Sequence, residues 1–186
     1  MVLIDTIFVV VTFFWIAEFF LFRQKAPSKE PERTERRSFR WILAAIILSI
    51  GTAVVFGETG FLSLSSVWLQ AAGLCLYGAG IGLRYWGILH LRDQFSRDVS
   101  VKNGDSLVSS GPYRRLRHPL YTALFFIVLG FCLFMNSPGA AAISTGVMVP
   151  ALLHRIRIEE EMLRQTHGDT YRLWCRQRNR LIPFLY

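Results

Sequence analysis

Residues 119–154 read PLYTALFFIVLGFCLFMNSPGAAAISTGVMVPALLH. Two apolar runs, 119–135 and 139–154, flank Asn136-Ser137-Pro138-Gly139, a residue set that favours a tight turn. The stretch therefore predicts a helical hairpin. Pro119 suits the first turn of its helix, where a missing N–H costs nothing. Each run is near the lower length limit for crossing a bilayer. The second continues as HRIRIEEEMLRQ over residues 154–165, so its helix is expected to leave the membrane and to end at His167-Gly168. Pro150 is expected to kink it.

Working outward, three further apolar runs occupy residues 2–22, 41–56 and 67–91. With 52% of its 186 residues apolar, the chain is too apolar for an ordinary soluble domain. The expected fold is all-α: one integral-membrane domain over residues 1–186, with about five transmembrane helices and a cytosolic cap. The first run lacks a basic start and a small-residue cleavage site, and it contains Asp5 and Glu18, so it reads as a retained helix.

The net charge of +8 is topological. Of 21 Lys and Arg, seven lie in residues 23–40, six in 90–118, seven in 154–186, and one, Arg84, inside the third run. The connections at 57–66 and 136–138 carry none. Basic and non-basic loops alternate, as the positive-inside rule requires for five crossings. The N-terminus is expected outside and the C-terminus in the cytoplasm, in the inner membrane if the source is bacterial. This placement argues against nucleic acid as a partner. Residues 23–40 mix both charges with two prolines and read as a cytosolic linker that can touch anionic headgroups of membrane lipids.

Gly73, Gly80 and Gly87 recur at seven-residue spacing, with Gly78 and Gly82 between them in a GxxxG pattern, so the third helix is expected to pack closely on a neighbour. Arg84 is read as snorkelling to the interface in preference to a buried ion pair or a substrate contact. Residues 90–118 form a long connection anchored by Phe95, Val99, Val101, Leu107 and Val108, which reads as a folded cap.

Candidate chemistry falls into two clusters on the cytosolic side, GPYRRLRHPLY at 111–121 and the segment 154–161. On a helix Arg155 and Glu159 share a face; taken alone, they read as a surface i,i+4 pair. Glu160 lies about 100° away from Glu159, so the two carboxylates are expected to point differently. His90, His118, His154 and His167 are scattered, and no HExxH, GxSxG, GxGxxG or Walker loop occurs. Cys75, Cys132 and Cys175 form no CxxC and no disulfide framework.

The segment LVSSGPYRRLRHPLYTA at 107–123, followed about forty residues later by RIRIEEEMLRQTHGDTYRLWCRQRNRLIP at 155–183, resembles the isoprenylcysteine carboxyl methyltransferase family. That family belongs with the phospholipid methyltransferases, small multispanning enzymes that use S-adenosyl-L-methionine. The resemblance covers roughly residues 67–186. It implies that Leu107, Val108, Tyr113, His118, Pro119, Leu120 and Tyr121 line the cofactor site and that Glu159 helps to hold the cofactor. Arg155 is implied to meet the acceptor, and Arg117 to support the site; Arg155, Glu159 and Arg117 form the catalytic set. The implied acceptor is a lipophilic small molecule or an isoprenylcysteine-like carboxylate. The chain departs from the family at Asp105, where a histidine is usual, at Gln177-Arg178-Asn179-Arg180 ahead of Leu-Ile-Pro, and at Ala123, where glycine is common. The first two departures leave a shifted cofactor contact and a different acceptor open. Two rival readings are an NADPH-dependent reductase of sterol-reductase type, which Leu120, Ala123 and the EEEML segment disfavour, and a non-catalytic protein that binds anionic lipid.

Overall fold

The computed structural model describes residues 2–22, 33–91 and 107–181. These residues form five α-helices: α1 (Val2–Leu21), α2 (Arg33–Thr59), α3 (Val67–Leu91), α4 (Pro119–Phe134) and α5 (Pro138–Arg176). One 3-10 turn, Gly111–Arg114, precedes α4. Arg36–Thr59 and Pro138–Arg176 are long and apolar enough to cross a membrane, and Pro119–Phe134 is a shorter apolar helix. Large apolar side chains such as Phe13, Phe20, Ile47, Val55 and Trp68 stand exposed on the outside of the bundle, as lipid-facing positions do.

The expected hairpin is present. Asn136 takes a left-handed conformation (φ 55°), and the Ser137 side chain accepts a hydrogen bond from the Ala140 N–H at the start of α5. Pro138 lies in the first turn of α5, where its missing donor is harmless. The other non-basic connection joins this turn directly: Leu64 N donates to the Asn136 carbonyl at 2.9 Å, and Ser66 N to Asn136 Oδ1 at 3.3 Å. Both non-basic connections therefore lie at one end of the bundle. α1 runs parallel to α3, since Asp5 meets Gln70, Thr12 meets Tyr77 and Glu18 meets Arg84. That arrangement brings the start of α1 to the same end.

The heptad glycines of α3 set the approach of α4. A Cβ on Gly73 would lie 2.3 Å from Phe134 N, one on Gly80 2.9 Å from the Ala123 carbonyl, and one on Gly87 2.7 Å from Leu120. Gly130 of α4 reciprocates against the Tyr77 backbone at 2.5 Å. Gly78 and Gly82 correct the expectation that a GxxxG pair would join this contact: a Cβ there meets nothing within 4 Å. Two residues turn a helix by about 200°, which puts both on the opposite face from Gly80.

Three other expectations change. Residues 33–40, read as the end of a linker, are the opening turns of α2; residues 23–32 lie outside the described set. Arg84 does not snorkel: its Nε donates to Glu18 Oε2 at 2.6 Å, because α1 brings a buried carboxylate alongside. The helix breaks at Gly168 (φ 53°, ψ −125°), where its end was expected, but a further helical stretch runs on to Arg176, and Pro150 lies inside the helix without leaving helical backbone angles. Of the expected cap, residues 92–106, including Phe95, Val99, Val101 and Asp105, lie outside the described set.

The α3–α4 geometry makes a specific expectation. Gly73→Leu and Gly80→Leu should each destabilise the protein by on the order of 3 kcal/mol, the upper range for forced overpacking. Gly78→Leu and Gly82→Leu should leave the midpoint of thermal unfolding in detergent near that of the parent.

Candidate functional site

The basic segment is held in an irregular path by contacts on two sides. Gly111 (φ 56°) opens the 3-10 turn under the His90 ring, where a Cβ would lie 2.5 Å from the imidazole. The turn buries Tyr113 against α3. Beyond it, residues 115–118 run beside the C-terminal segment. Arg117 N donates to the Asn179 carbonyl at 2.8 Å, Asn179 N to the Arg115 carbonyl at 3.0 Å, and His118 N to the Arg180 carbonyl at 3.2 Å. These bonds form a single parallel bridge, Leu116 to Asn179. Thr122 Oγ1 adds a bond to the Leu181 carbonyl at 2.7 Å. A polar stretch that has no helical partners of its own is thus satisfied by the tail.

At the centre of this end lies Glu160, 1% exposed. Its carboxylate accepts from Arg117 Nη1 at 3.3 Å, from Arg180 Nε at 3.1 Å and from Arg180 Nη2. His118 stands between two carboxylates: Nε2 is 3.4 Å from Glu160 Oε1, and Nδ1 is 3.6 Å from Glu159 Oε1. Glu159 Oε2 accepts from the Tyr121 hydroxyl at 2.7 Å. Glu159 and Glu160 therefore meet the same imidazole, although their helical positions led to the expectation that they would point differently. The 100° between them is bridged because His118 enters between the two side chains.

The electrostatics follow from this packing. Burial works to lower the pKa of His118, but the hydrogen bonds and charges of Glu159 and Glu160 outweigh it and hold the value above that of a free histidine. A neutral imidazole would turn a lone pair toward one of the carboxylates, so the geometry calls for the imidazolium. Burial opposes ionisation of Glu160, yet the bonds from His118 and Arg180 hold its carboxyl well below the usual range. Glu159 is likewise lowered against the effect of burial, by His118 first and then by Tyr121 and Arg155.

Arg155 departs from its sequence reading as a surface residue. It is 2% exposed, and its Nη1 donates to the Ser38 Oγ of α2 at 2.8 Å. Ser38 is a contributor that sequence reasoning missed, since it lies in the stretch assigned to a linker. Arg180 was also missed; its only sequence signal was the departure ahead of Leu-Ile-Pro. Arg117 acts as a strut. Besides Glu160 it donates to the carbonyls of Arg178 (3.0 Å) and Cys175 (2.9 Å). Pro119 is buried, and Leu120 packs against Gly87. Leu107 and Val108 are half-buried ahead of the turn. Next to them, the Ser109 hydroxyl accepts from Trp174 Nε1 at 2.9 Å. The structure brings Tyr121, His118, Glu159 and Glu160 together directly, with Arg155 close enough to act on the ionisation of Glu159.

An apolar helical bundle with a buried, fully charged cluster at one end of a hairpin defines a membrane protein built around an intrinsic polar site. The profile of the isoprenylcysteine carboxyl methyltransferase (ICMT) family matches residues 71–165, half of the chain. A protein-S-isoprenylcysteine O-methyltransferase of Tribolium castaneum is 31% identical over 120 residues, which is 63% of this chain and 43% of that relative. The solved structure of the eukaryotic intramembrane Ras methyltransferase ICMT superposes with a TM-score of 0.65 at 23% identity. That match covers 95% of this chain and 63% of the other, and it shows a shared fold. The chain thus spans less than two thirds of the length of either. It belongs to the isoprenylcysteine carboxyl methyltransferase family, whose members are integral membrane proteins.

The pKa shifts give a pH signature. His118 is raised, so its contribution to stability is complete below the free-histidine value, about 6.5, and is lost as pH rises through the higher folded value. Glu160 is lowered, so its contribution is present above the free-carboxyl range and is lost as pH falls through the lower folded value. The groups that face His118 are Glu159 and Glu160 of α5 and the ring of Tyr121 in α4. Thermal unfolding of the parent should therefore weaken from about pH 6.5 upward relative to His118→Asn, in which that alkaline loss is absent. Glu160→Gln should cost about 3 kcal/mol near neutral pH, since Arg117 and Arg180 lose their shared counter-charge.

Proposed function

We propose that this protein transfers a methyl group from S-adenosyl-L-methionine to the carboxylate of a lipophilic, isoprenylcysteine-like acceptor. The observation that carries the reading is the convergence of His118, Tyr121, Glu159 and Arg155, from motifs separated by about forty residues, on one polar end of the bundle. Family membership favours methyl transfer over the reductase alternative.

The residues present suit the donor. Glu159 is held ionised and keeps 28% exposure, so one acceptor group remains open to an ammonium. Tyr113 and the Tyr121–His118 ring pair supply flat surfaces beside it, with ring centroids of the pair 5.8 Å apart. Bound donor supplies an activated methyl group on a sulfonium. For the acceptor, the Arg155 guanidinium is a planar cation suited to a carboxylate, fixed by Ser38 at the α2 side. A carboxylate nucleophile needs no general base, so the protein's task is to orient the two partners in line and to keep water out. As the carboxylate oxygen–carbon bond forms, the carbon–sulfur bond breaks and its electron pair stays on sulfur.

The layout follows the charge pattern. Five crossings put the N-terminus and both non-basic connections outside and the site at the cytosolic face. The direct bonds between residues 64–66 and Asn136 support this arrangement, as does the parallel run of α1 and α3. In a bacterial source the membrane is the inner one. The donor then arrives from the cytosol and an apolar acceptor tail from the lipid.

Calorimetry on the detergent-purified protein separates the readings: S-adenosylmethionine and its demethylated product should bind, and binding of NADPH alone would overturn methyl transfer. Arg155→Ala and Glu159→Ala should each lower kcat/KM for methylation of an S-prenylcysteine by about 100-fold or more, the worth of a charge-assisted contact of roughly 3 kcal/mol. Both variants should remain folded in the membrane fraction. Turnover at the parent rate in either would exclude that residue from the site.

A further inference from the structure

Arg84 and Glu18 form an ion pair inside the bundle that the chemistry above leaves unused. The contact is monodentate, Nε to Oε2 at 2.6 Å, with Glu18 fully buried and Arg84 14% exposed. The second oxygen of Glu18 has no hydrogen-bond partner among the described residues. The Nη groups of Arg84 make no hydrogen bond among the described residues.

A brace between α1 and α3 does not account for this geometry. α1 is already tied to α3 by Gln70 on Asp5, Thr12 with Tyr77, the Tyr85 hydroxyl on the Phe14 carbonyl, and the packing of Phe8 against Tyr77. A buried ion pair is often no more stabilising than apolar residues in its place. Charge within a membrane protein's interior tends to mark a ligand path. A structural pair is also best made bidentate, with both oxygens and two guanidinium nitrogens in use.

The position of Arg84 adds the second half of the argument. Gly87 follows one turn later on the same face of α3, and a Cβ on it would lie 3.6 Å from the Tyr113 hydroxyl. Burial pushes the Tyr113 hydroxyl up, Glu159 pushes it further, and Arg84 acts in the opposite sense. Tyr113 thus lies within electrostatic reach of both Arg84 and Glu159. Arg155 is held separately, by its bond to Ser38 at the α2 side.

We propose that Arg84 is a carboxylate-binding residue of the site: Glu18 aligns the guanidinium through Nε and leaves the Nη edge to receive a ligand carboxylate. The carboxylate belongs either to the acceptor or to the amino-acid end of the methyl donor. The inference rests on the methyl-transfer reading and adds a second cation to it.

Calorimetry with four probes on the full-length, detergent-purified protein tests it. S-adenosylhomocysteine and 5′-methylthioadenosine differ by the amino-acid group of the donor product. An N-acetyl-S-prenylcysteine and its carboxamide differ by the charge of the acceptor. Arg84→Gln should weaken one carboxylate-bearing probe by on the order of 10- to 100-fold and leave its carboxylate-free counterpart bound as in the parent. Loss confined to S-adenosylhomocysteine assigns Arg84 to the donor; loss confined to the prenylcysteine assigns it to the acceptor. Arg84→Lys keeps the cation and its Glu18 partner but not the planar fork, so it should give a smaller loss on the same probe. The inference is overturned if Arg84→Gln binds all four probes as the parent does, or if Arg84→Lys weakens the charged and uncharged members of each pair equally. A parent protein that binds neither nucleoside overturns the methyl-transfer reading, and the inference with it.

Discussion

The buried carboxylate of Glu160 is the constraint on which the polar end of this protein depends. It collects donors from three parts of the chain: Arg117 and His118 ahead of α4, its own helix α5, and Arg180 in the tail. Burial of ionisable groups is favourable only when nearly every donor and lone pair is used. Here Arg117 completes its set on the carbonyls of Cys175 and Arg178, and Arg178 in turn donates to the Tyr113 carbonyl at 2.7 Å. The network therefore fixes the axial position of α5 against α4. A shift of α5 by one residue would move Glu160 away from Arg117 and His118.

Much of the bundle was legible because its signals are periodic or local. Seven residues are close to two helical turns, so Gly73, Gly80 and Gly87 had to line one face, and the structure closes that face against α4. The same arithmetic, applied to two-residue steps, removes Gly78 and Gly82 from the contact. The hairpin was legible from Asn136-Ser137-Pro138-Gly139, whose conformational preferences act within four residues. The motifs at 111–121 and 155–161 do meet at one end of the bundle. Their internal geometry was less accessible. The 100° rule treats side chains as radial spokes, and it failed for Glu159 and Glu160 because a third residue, His118, bridges them. Ser38 and Arg180 are partners by tertiary contact alone, and composition assigned the segment around Ser38 to a linker. Arg84 was misread for a related reason: a lone cation in an apolar run looks exposed until a neighbouring helix supplies Glu18.

The length of α5 connects the membrane to this cluster. From Pro138 to the break at Gly168 it rises roughly 45 Å at about 1.5 Å per residue, well beyond a hydrocarbon core of about 30 Å. The first half packs Met148 and Leu152 against Ile42 and Ala45 of α2. Further along, the helix carries Arg155, Glu159 and Glu160 into the polar layer, and it turns at Gly168 to bring Trp174 and the tail back over residues 109–118. One continuous helix thus places lipid-facing and charged surfaces in fixed register. A substrate with an apolar tail and an ionised head requires that juxtaposition.

The balance of charge at this end bears on which ligands the proposed reaction would admit. Arg84, Arg117, Arg155, Arg180 and the imidazolium of His118 face the carboxylates of Glu18, Glu159 and Glu160. Cations outnumber anions, and burial strengthens the resulting field relative to water. On the proposed reading an acceptor carboxylate would be drawn into such a site, whereas the ammonium of a donor would find its partner in Glu159, the half-open acid. Methylation converts the carboxylate to a neutral ester. The attraction to the guanidinium is then lost while the apolar tail keeps its affinity for lipid.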